Sequence, residues 1–308
     1  MRGLEPEAIL RRAGDASPGW LAASLATILG GLLCLTLRSR TLLAPLAAID
    51  LATVFRSHLF AFLGNALVPL RFGELVRMDY LARRGRLPRS TVLAVIGLER
   101  TLDGFWLLVL LASVSPLLAV DLTGSRSLLV FAVVVALGLA ASWGLSRRTE
   151  RFVAGGRAAA GVLGARWGGA VASRWEEFVR GFAAVVVPGR LWAVAAYTIG
   201  YWLLQVATVR LWIEAFGLAV PEPAAVVVLV FIVLGTAIPA SPGYVGTFDY
   251  FAVRALDLFG VARESAVSFA LVSHAMALLP VALLAIGFAV REAARPGRPG
   301  ESEPGARE

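Results

Sequence analysis

Between Gly64 and Gly104 the chain reads GNALVPLRFGELVRMDYLARRGRLPRSTVLAVIGLERTLDG, and this stretch sets the hardest condition on the fold. Arg71, Glu74, Arg77, Glu99, Arg100 and Asp103, together with Asn65, stand among or beside apolar runs of the kind that fill a lipid bilayer. An ionisable side chain at bilayer depth costs at least ~2.5–3.5 kcal/mol unless it meets a partner, water or a ligand. The stretch must therefore form a polar centre whose charges satisfy one another or a bound molecule.

Composition supplies the surroundings of that centre. Hydrophobic residues make up 58% of the 308 and charged ones only 16%, with a mean hydropathy of +0.76, which excludes an ordinary soluble domain. The length suits one polytopic membrane domain and leaves no room for a separate soluble catalytic domain of ordinary size. The net charge of +8 comes from Arg alone, since the chain has no Lys; basic loops of this sort orient membrane proteins. Cys34 is the single cysteine, and His58 and His274 are far apart, so no metal-ligand cluster is expected and no cofactor is implied.

Arg2, Arg11 and Arg12 precede an uncharged run from Trp20 to Leu37 with no small-x-small cleavage site, which predicts an uncleaved first transmembrane helix with residues 1–19 in the cytoplasm. Leu51–Leu70 is shorter, is interrupted by Arg56, His58 and Asn65, and ends at Pro69; it reads as a half-helix or re-entrant segment. Arg77, Arg83, Arg84, Arg86 and Arg89 then crowd a short loop that the positive-inside rule places in the cytoplasm. Leu87–Val120 and Ser127–Ser146 each read as one helix, with residues 121–126 outside. From Arg147 to Arg190 eight Arg meet three Glu around an apolar stripe of Leu163, Trp167, Val171, Trp175, Phe178 and Phe182. That pattern suits an interfacial helix on the cytoplasmic leaflet, or else a solvated helical hairpin. Leu191–Val209 spans again, residues 217–223 face outward, and Ser265–Val290 forms a last span before a disordered cytoplasmic tail at 292–308.

Pro223–Phe248 is uncharged over 26 residues yet cannot run straight, because Pro239, Pro242, Gly243 and Gly246 interrupt it. Two half-helices meeting in an irregular turn inside the protein are expected. Residues 69–84 and 239–254 align without gaps: Pro69 matches Pro239, Gly73 matches Gly243, Asp79 matches Asp249 and Tyr80 matches Tyr250. Paired broken segments point to a binding site between repeats, while the biased composition leaves coincidence open.

Two readings of the charges stand side by side. In one, Arg71 and Arg100, helped by Asn65 and Arg77, hold an anionic lipid head group, because the guanidinium fork grips phosphate without losing its charge. Glu74, Glu99, Asp103 and His274 then form the supporting network. In the other, the same residues are ion pairs that tie helices together. A catalytic constellation is not expected: only Glu99, Asp103 and His274 would qualify as acid or base.

The blocks GNALVPLRFGELVRMDYL, GLERTLDG, LGTAIPASPGYVGTFDY and SHAMALLP, in this order, resemble those of the lysylphosphatidylglycerol synthase transmembrane region family, over about Trp20 to Val290. The resemblance implies an all-α integral membrane protein, a polytopic bundle of about six to eight transmembrane segments with broken or re-entrant helices. It also implies a stand-alone, flippase-like protein of the cell membrane that moves or binds an anionic phospholipid, glycolipid or polyprenyl-linked intermediate. The alternatives are an accessory subunit or enzyme of lipid or glycolipid biosynthesis, or a structural partner of a membrane glycosyltransferase. The aminoacyltransferase domain of the bifunctional synthases has no counterpart in these residues, and Leu70 and Phe72 stand where small residues are common in the family.

Overall fold

The computed structural model describes residues 6–68, 72–118, 126–162, 164–238 and 241–294. The apolar runs become helices, in the order α1 (Pro6–Gly14), α2 (Pro18–Leu43), α3 (Leu51–Leu67), α4 (Gly73–Gly85), α5 (Arg89–Leu118), α6 (Arg126–Arg147), α7 (Thr149–Gly161), α8 (Gly164–Val185), α9 (Pro188–Ala215), α10 (Ala224–Ala237), α11 (Thr247–Asp257) and α12 (Arg263–Ala293). Local chemistry sets several boundaries. Pro18 and Pro188 sit in the first turns of α2 and α9, where a missing N–H costs nothing. The Asp50 carboxylate accepts the Thr53 amide at 2.9 Å and so caps α3.

The long helices α2, α9 and α12 are apolar enough to cross a membrane, and the chain is an all-α membrane protein. α2 and α9 run antiparallel: the Trp212 indole donates to Ser24 Oγ at 3.1 Å, and the Thr27 and Thr208 hydroxyls bond at 2.7 Å. Gly30 and Gly31 face Leu204 and Tyr201, and small residues of this kind let backbones approach without a water-driven force between helices.

Two apolar cores lie at opposite ends of the bundle. One gathers Leu42, Val54, Leu81, Val95, Val179 and Val194; the other gathers Leu111, Ile213, Val227, Leu256 and Phe269. Long helices such as α5 and α9 contribute to both. The broken segments enter between them as hairpins. The α3–α4 hairpin has its open end at the first core and α10–α11 has its open end at the second, so the two point inward from opposite ends. Their turns meet: a Cβ built on Gly243, in the 3-10 turn Pro242–Tyr244, would lie 3.6 Å from the Ala66 carbonyl oxygen. Among the candidate turn residues, Pro69 and Pro239 lie outside the described residues, as do 295–308 of the tail and 121–125 of the expected outer loop.

Two expectations need correction. The amino terminus cannot share a side with the basic loops. The Ser17 amide donates to Ala215 O at 2.8 Å and Ser268 Oγ to Ile9 O at 2.9 Å, which puts α1 at the second core, whereas Arg84 pairs with Glu292 beside the basic 83–89 segment. α2 crosses once between them. Arg flanks that helix on both sides, and Arg38 is a buried partner in an ion pair (0% exposed), so charge counting around α2 had no reliable contrast to read. The second correction concerns the single interfacial helix expected in residues 147–190: α7 and α8 pack as a helical hairpin, the alternative reading, although one that is not solvated all round. Val179, Phe182 and Val185 of α8 are buried in the first core, and the Trp175 indole donates to Phe152 O at 2.8 Å. Only the beginning of the stripe, Trp167 and Val171, stays exposed; Leu163 lies outside the described residues.

Candidate functional site

The polar centre forms where the last turns of α2, the middle of α3 and α4, and the first half of α5 come together. Glu99 and Asp103 are one turn apart on α5 and face the same side, and each takes a different arginine in a forked pair. Arg77 gives Nη1 to Glu99 Oε2 at 2.6 Å and Nη2 to Oε1 at 3.2 Å. Arg38 gives Nη1 to Asp103 Oδ1 at 2.6 Å and Nη2 to Oδ2 at 3.2 Å. Ser39 ties the pairs together: its hydroxyl donates to Glu99 Oε1, accepts Arg77 Nη2 at 2.8 Å and lies 2.9 Å from His58 Nε2. Arg38, Arg77 and Glu99 are buried. At that depth an unmatched charge costs several kcal/mol, so these forks are conditions of folding.

Arg100 is placed differently. Its side chain is 42% exposed, with contacts to Asp103 Oδ2 at 3.4 Å and Glu74 Oε1 at 3.7 Å, longer than those of the buried forks. Glu74 also lies 3.8 Å from Arg77 Nη1. The rim of the network is thus one guanidinium flanked by two carboxylates, and its floor is closed by the two forked ion pairs. Such an arrangement can exchange a protein carboxylate for another anion at Arg100 without dismantling the floor.

The expected site residues therefore separate. Arg100, Glu74 and Asp103 meet at the rim. Arg77, expected to touch a head group, is 1% exposed with its fork on Glu99, and belongs with the floor. Asn65 serves the turn: its side-chain oxygen accepts the Gly73 amide at 2.8 Å. His274 leaves the network altogether and joins a second cluster, with Nδ1 at 3.1 Å from Asp249 Oδ1 and Nε2 at 2.8 Å from Gly243 O. Arg71 lies outside the described residues. Sequence reasoning missed Arg38 and Ser39, which sit just past the uncharged run of the first span. It also missed His58. The available signal was arithmetic: two acids on one face of α5 call for two basic partners. Among the described residues no three His, Cys, Asp or Glu side chains converge as a metal site would require.

The chain is 25% identical over 308 residues to "Glycosyltransferase AglD" of Haloferax volcanii, an alignment covering 89% of this chain and 49% of that protein. The chain thus spans about half the length of that relative. No solved structure matches. The family described as "Lysylphosphatidylglycerol synthase TM region" matches residues 1–285. Matched over nearly its whole length, the chain belongs to the lysylphosphatidylglycerol synthase transmembrane region family.

Proposed function

We propose that this membrane protein receives the anionic head group of a membrane lipid at Arg100 and passes it between leaflets, as a flippase-like carrier and not as an enzyme. A head group crossing the bilayer must meet polar partners along its path, or the barrier of burying its charge stands. The observation that carries the reading is the contrast among the arginines: Arg38 and Arg77 are buried in forks at 2.6 Å, whereas Arg100 is 42% exposed and held at 3.4–3.7 Å. Glu74 and Asp103 compete for the same guanidinium and keep head-group binding reversible. The sequence also offers Arg71 as a second arginine for the head group. The two inward hairpins fit re-entrant elements meeting near mid-membrane, and by the positive-inside rule the basic end faces the cytoplasm. The cell membrane is the proposed location. The cytoplasmic side then holds the α7–α8 hairpin, whose exposed Trp167 and Val171 suit the head-group boundary.

A second reading comes from the glycosyltransferase relative: the protein serves as a membrane partner of a glycosyltransferase, and the whole network is helix glue. One experiment separates the two. The protein is reconstituted in phosphatidylcholine vesicles with a trace of acyl-chain-fluorescent phosphatidylglycerol, and inner-leaflet probe is followed by its exposure to external dithionite. A charge-assisted hydrogen bond is worth ~1.5–3 kcal/mol, so Arg100→Ala should slow probe movement by about tenfold or more at unchanged melting temperature. Movement equal to wild type in Arg100→Ala would favour the glue reading.

A further inference from the structure

The second polar cluster lies between the α10–α11 turn and α12, and its hydrogen-bond inventory is unusual. His274 Nδ1 faces both Asp249 oxygens, at 3.1 and 3.3 Å, and Nε2 faces the Gly243 carbonyl oxygen at 2.8 Å. A carbonyl and a carboxylate have no hydrogen to give, so both ring nitrogens must donate, or else Asp249 must itself carry a proton. Either way the His274–Asp249 pair holds one proton more than a neutral imidazole beside a free carboxylate. The Phe248 ring stacks on the imidazole at 4.4 Å and 18°, a placement that favours a cationic ring.

What this proton holds is a turn of unusual backbone. Gly243, Tyr244 and Gly246 all have positive φ, at 64°, 59° and 88°, and Tyr244 carries a Cβ that disfavours this region. Asp249 Oδ2 accepts the Gly246 amide at 3.0 Å, and His274 then takes both Asp249 and the Gly243 carbonyl. The loop is thereby tied at two points to α12. Gly243 also abuts Ala66, so any movement of this turn is felt at the tip of the first hairpin.

We propose that the His274–Asp249 pair is a proton-binding site that latches the α10–α11 turn against α12, and that release of the proton frees the turn. Once the pair loses its proton, the imidazole can donate from one nitrogen only, and the other nitrogen directs a lone pair at an oxygen. The pair must then let go of either Asp249 or Gly243, and the strained loop relaxes. No other charged group faces the ring among the described residues. On α3, Arg56 lies over Phe288 and His58 is bonded to Ser39. On α9, Arg210 pairs with Glu214 and Glu222. On α2, Arg38 pairs with Asp103, and Arg40 lies near the helix's far end. On α11, Arg254 pairs with Asp257. The turn itself adds Tyr244, α10 has no charged residue, and α1 touches α12 at Ser268 through a backbone carbonyl. A latch of this kind would give lipid passage a proton dependence, a link that rests on the function proposed above; the latch itself does not.

The test reads the turn directly. A nitroxide is attached at Val245→Cys in a Cys34→Ser background, with a second, control label at Leu258→Cys, in phosphatidylcholine–phosphatidylglycerol vesicles. Spectra are recorded from about pH 5 to about pH 9, the window in which an imidazole titrates. Expected is one reversible step, from slow motion in acid to fast motion in alkali, at Val245 and not at Leu258. His274→Gln abolishes the step, and Asp249→Asn shifts or abolishes it. Constant mobility, an equal step at Leu258, or a step that survives His274→Gln overturns the proposal. If His274→Gln does not fold, an unshifted step in Asp249→Asn does so. Because the readout needs no lipid movement, loss of the Arg100 effect would leave this result standing, and the reverse holds too.

Discussion

The α3–α4 hairpin is closed by contact at its turn, whereas the α10–α11 hairpin packs Gly235 against Phe251 farther from its turn and has the turn itself tied to a third helix. In the first, Gly73 lies so near α3 that an added Cβ would sit 1.8 Å from the Ala61 carbonyl oxygen, and Asn65 bonds the Gly73 amide. In the second, the aligned Gly243 has no atom within 3.6 Å of such a Cβ, but its φ is 64°. The first hairpin sends Arg77 into a buried pair; α10 carries no charge, and the second hairpin relies on Asp249 and His274. Asp79 and Asp249 also align, yet Asp79 pairs with Arg83 and Arg89 at the surface while Asp249 reaches α12. Matching residues therefore mark two hairpins without assigning them the same work. The partner available at each place decides the role.

The comparison is broken most severely at the floor of the first hairpin. Glu99→Ala strands Arg77 and should cost ~3–5 kcal/mol, read as a collapse of folded yield and of melting temperature in detergent. Arg77→Met combined with Glu99→Leu should recover most of the loss, because removing both charges removes the unpaired one. Next come the aligned glycines. Gly73→Ala must push α4 off α3, at about 1–3 kcal/mol or more, whereas Gly243→Ala meets only the left-handed backbone penalty of ~1–2 kcal/mol. Unfolding midpoints for the pair should differ in that order, and equal losses would mean the hairpins are closed alike. At the surface, Asp79→Asn should change stability by less than about 1 kcal/mol.

Two probes of geometry sharpen the contrast further. Phe72→Cys and Tyr244→Cys, without Cys34, should cross-link through a short bifunctional reagent if the turns meet as described; failure here and at neighbouring positions would separate the hairpins. Cysteines at Asp15 and Glu222 should label with an impermeant thiol reagent from one side of the membrane, and a cysteine at Ser173 from the other. Labelling of Asp15→Cys together with Ser173→Cys would restore the topology read from charge alone.

The sequence by itself determined that this chain is a helical membrane protein, that no single helix runs through Pro223–Phe248, and that Glu99 and Asp103 share a face. Those are consequences of composition, of Pro and Gly, and of a helical period of 3.6, all local properties. Tertiary structure alone decided which arginine meets which acid. Arg38 is 65 residues from Asp103 and Arg77 is 22 from Glu99, and nothing local tells a buried fork from a rim charge such as Arg100. The same holds for the amino terminus, whose side depends on α2 crossing once between two cores, and for His274, whose neighbours come from a turn 31 residues away. Charge pairing in a low-dielectric interior is a property of distance in space, and the fold sets that distance.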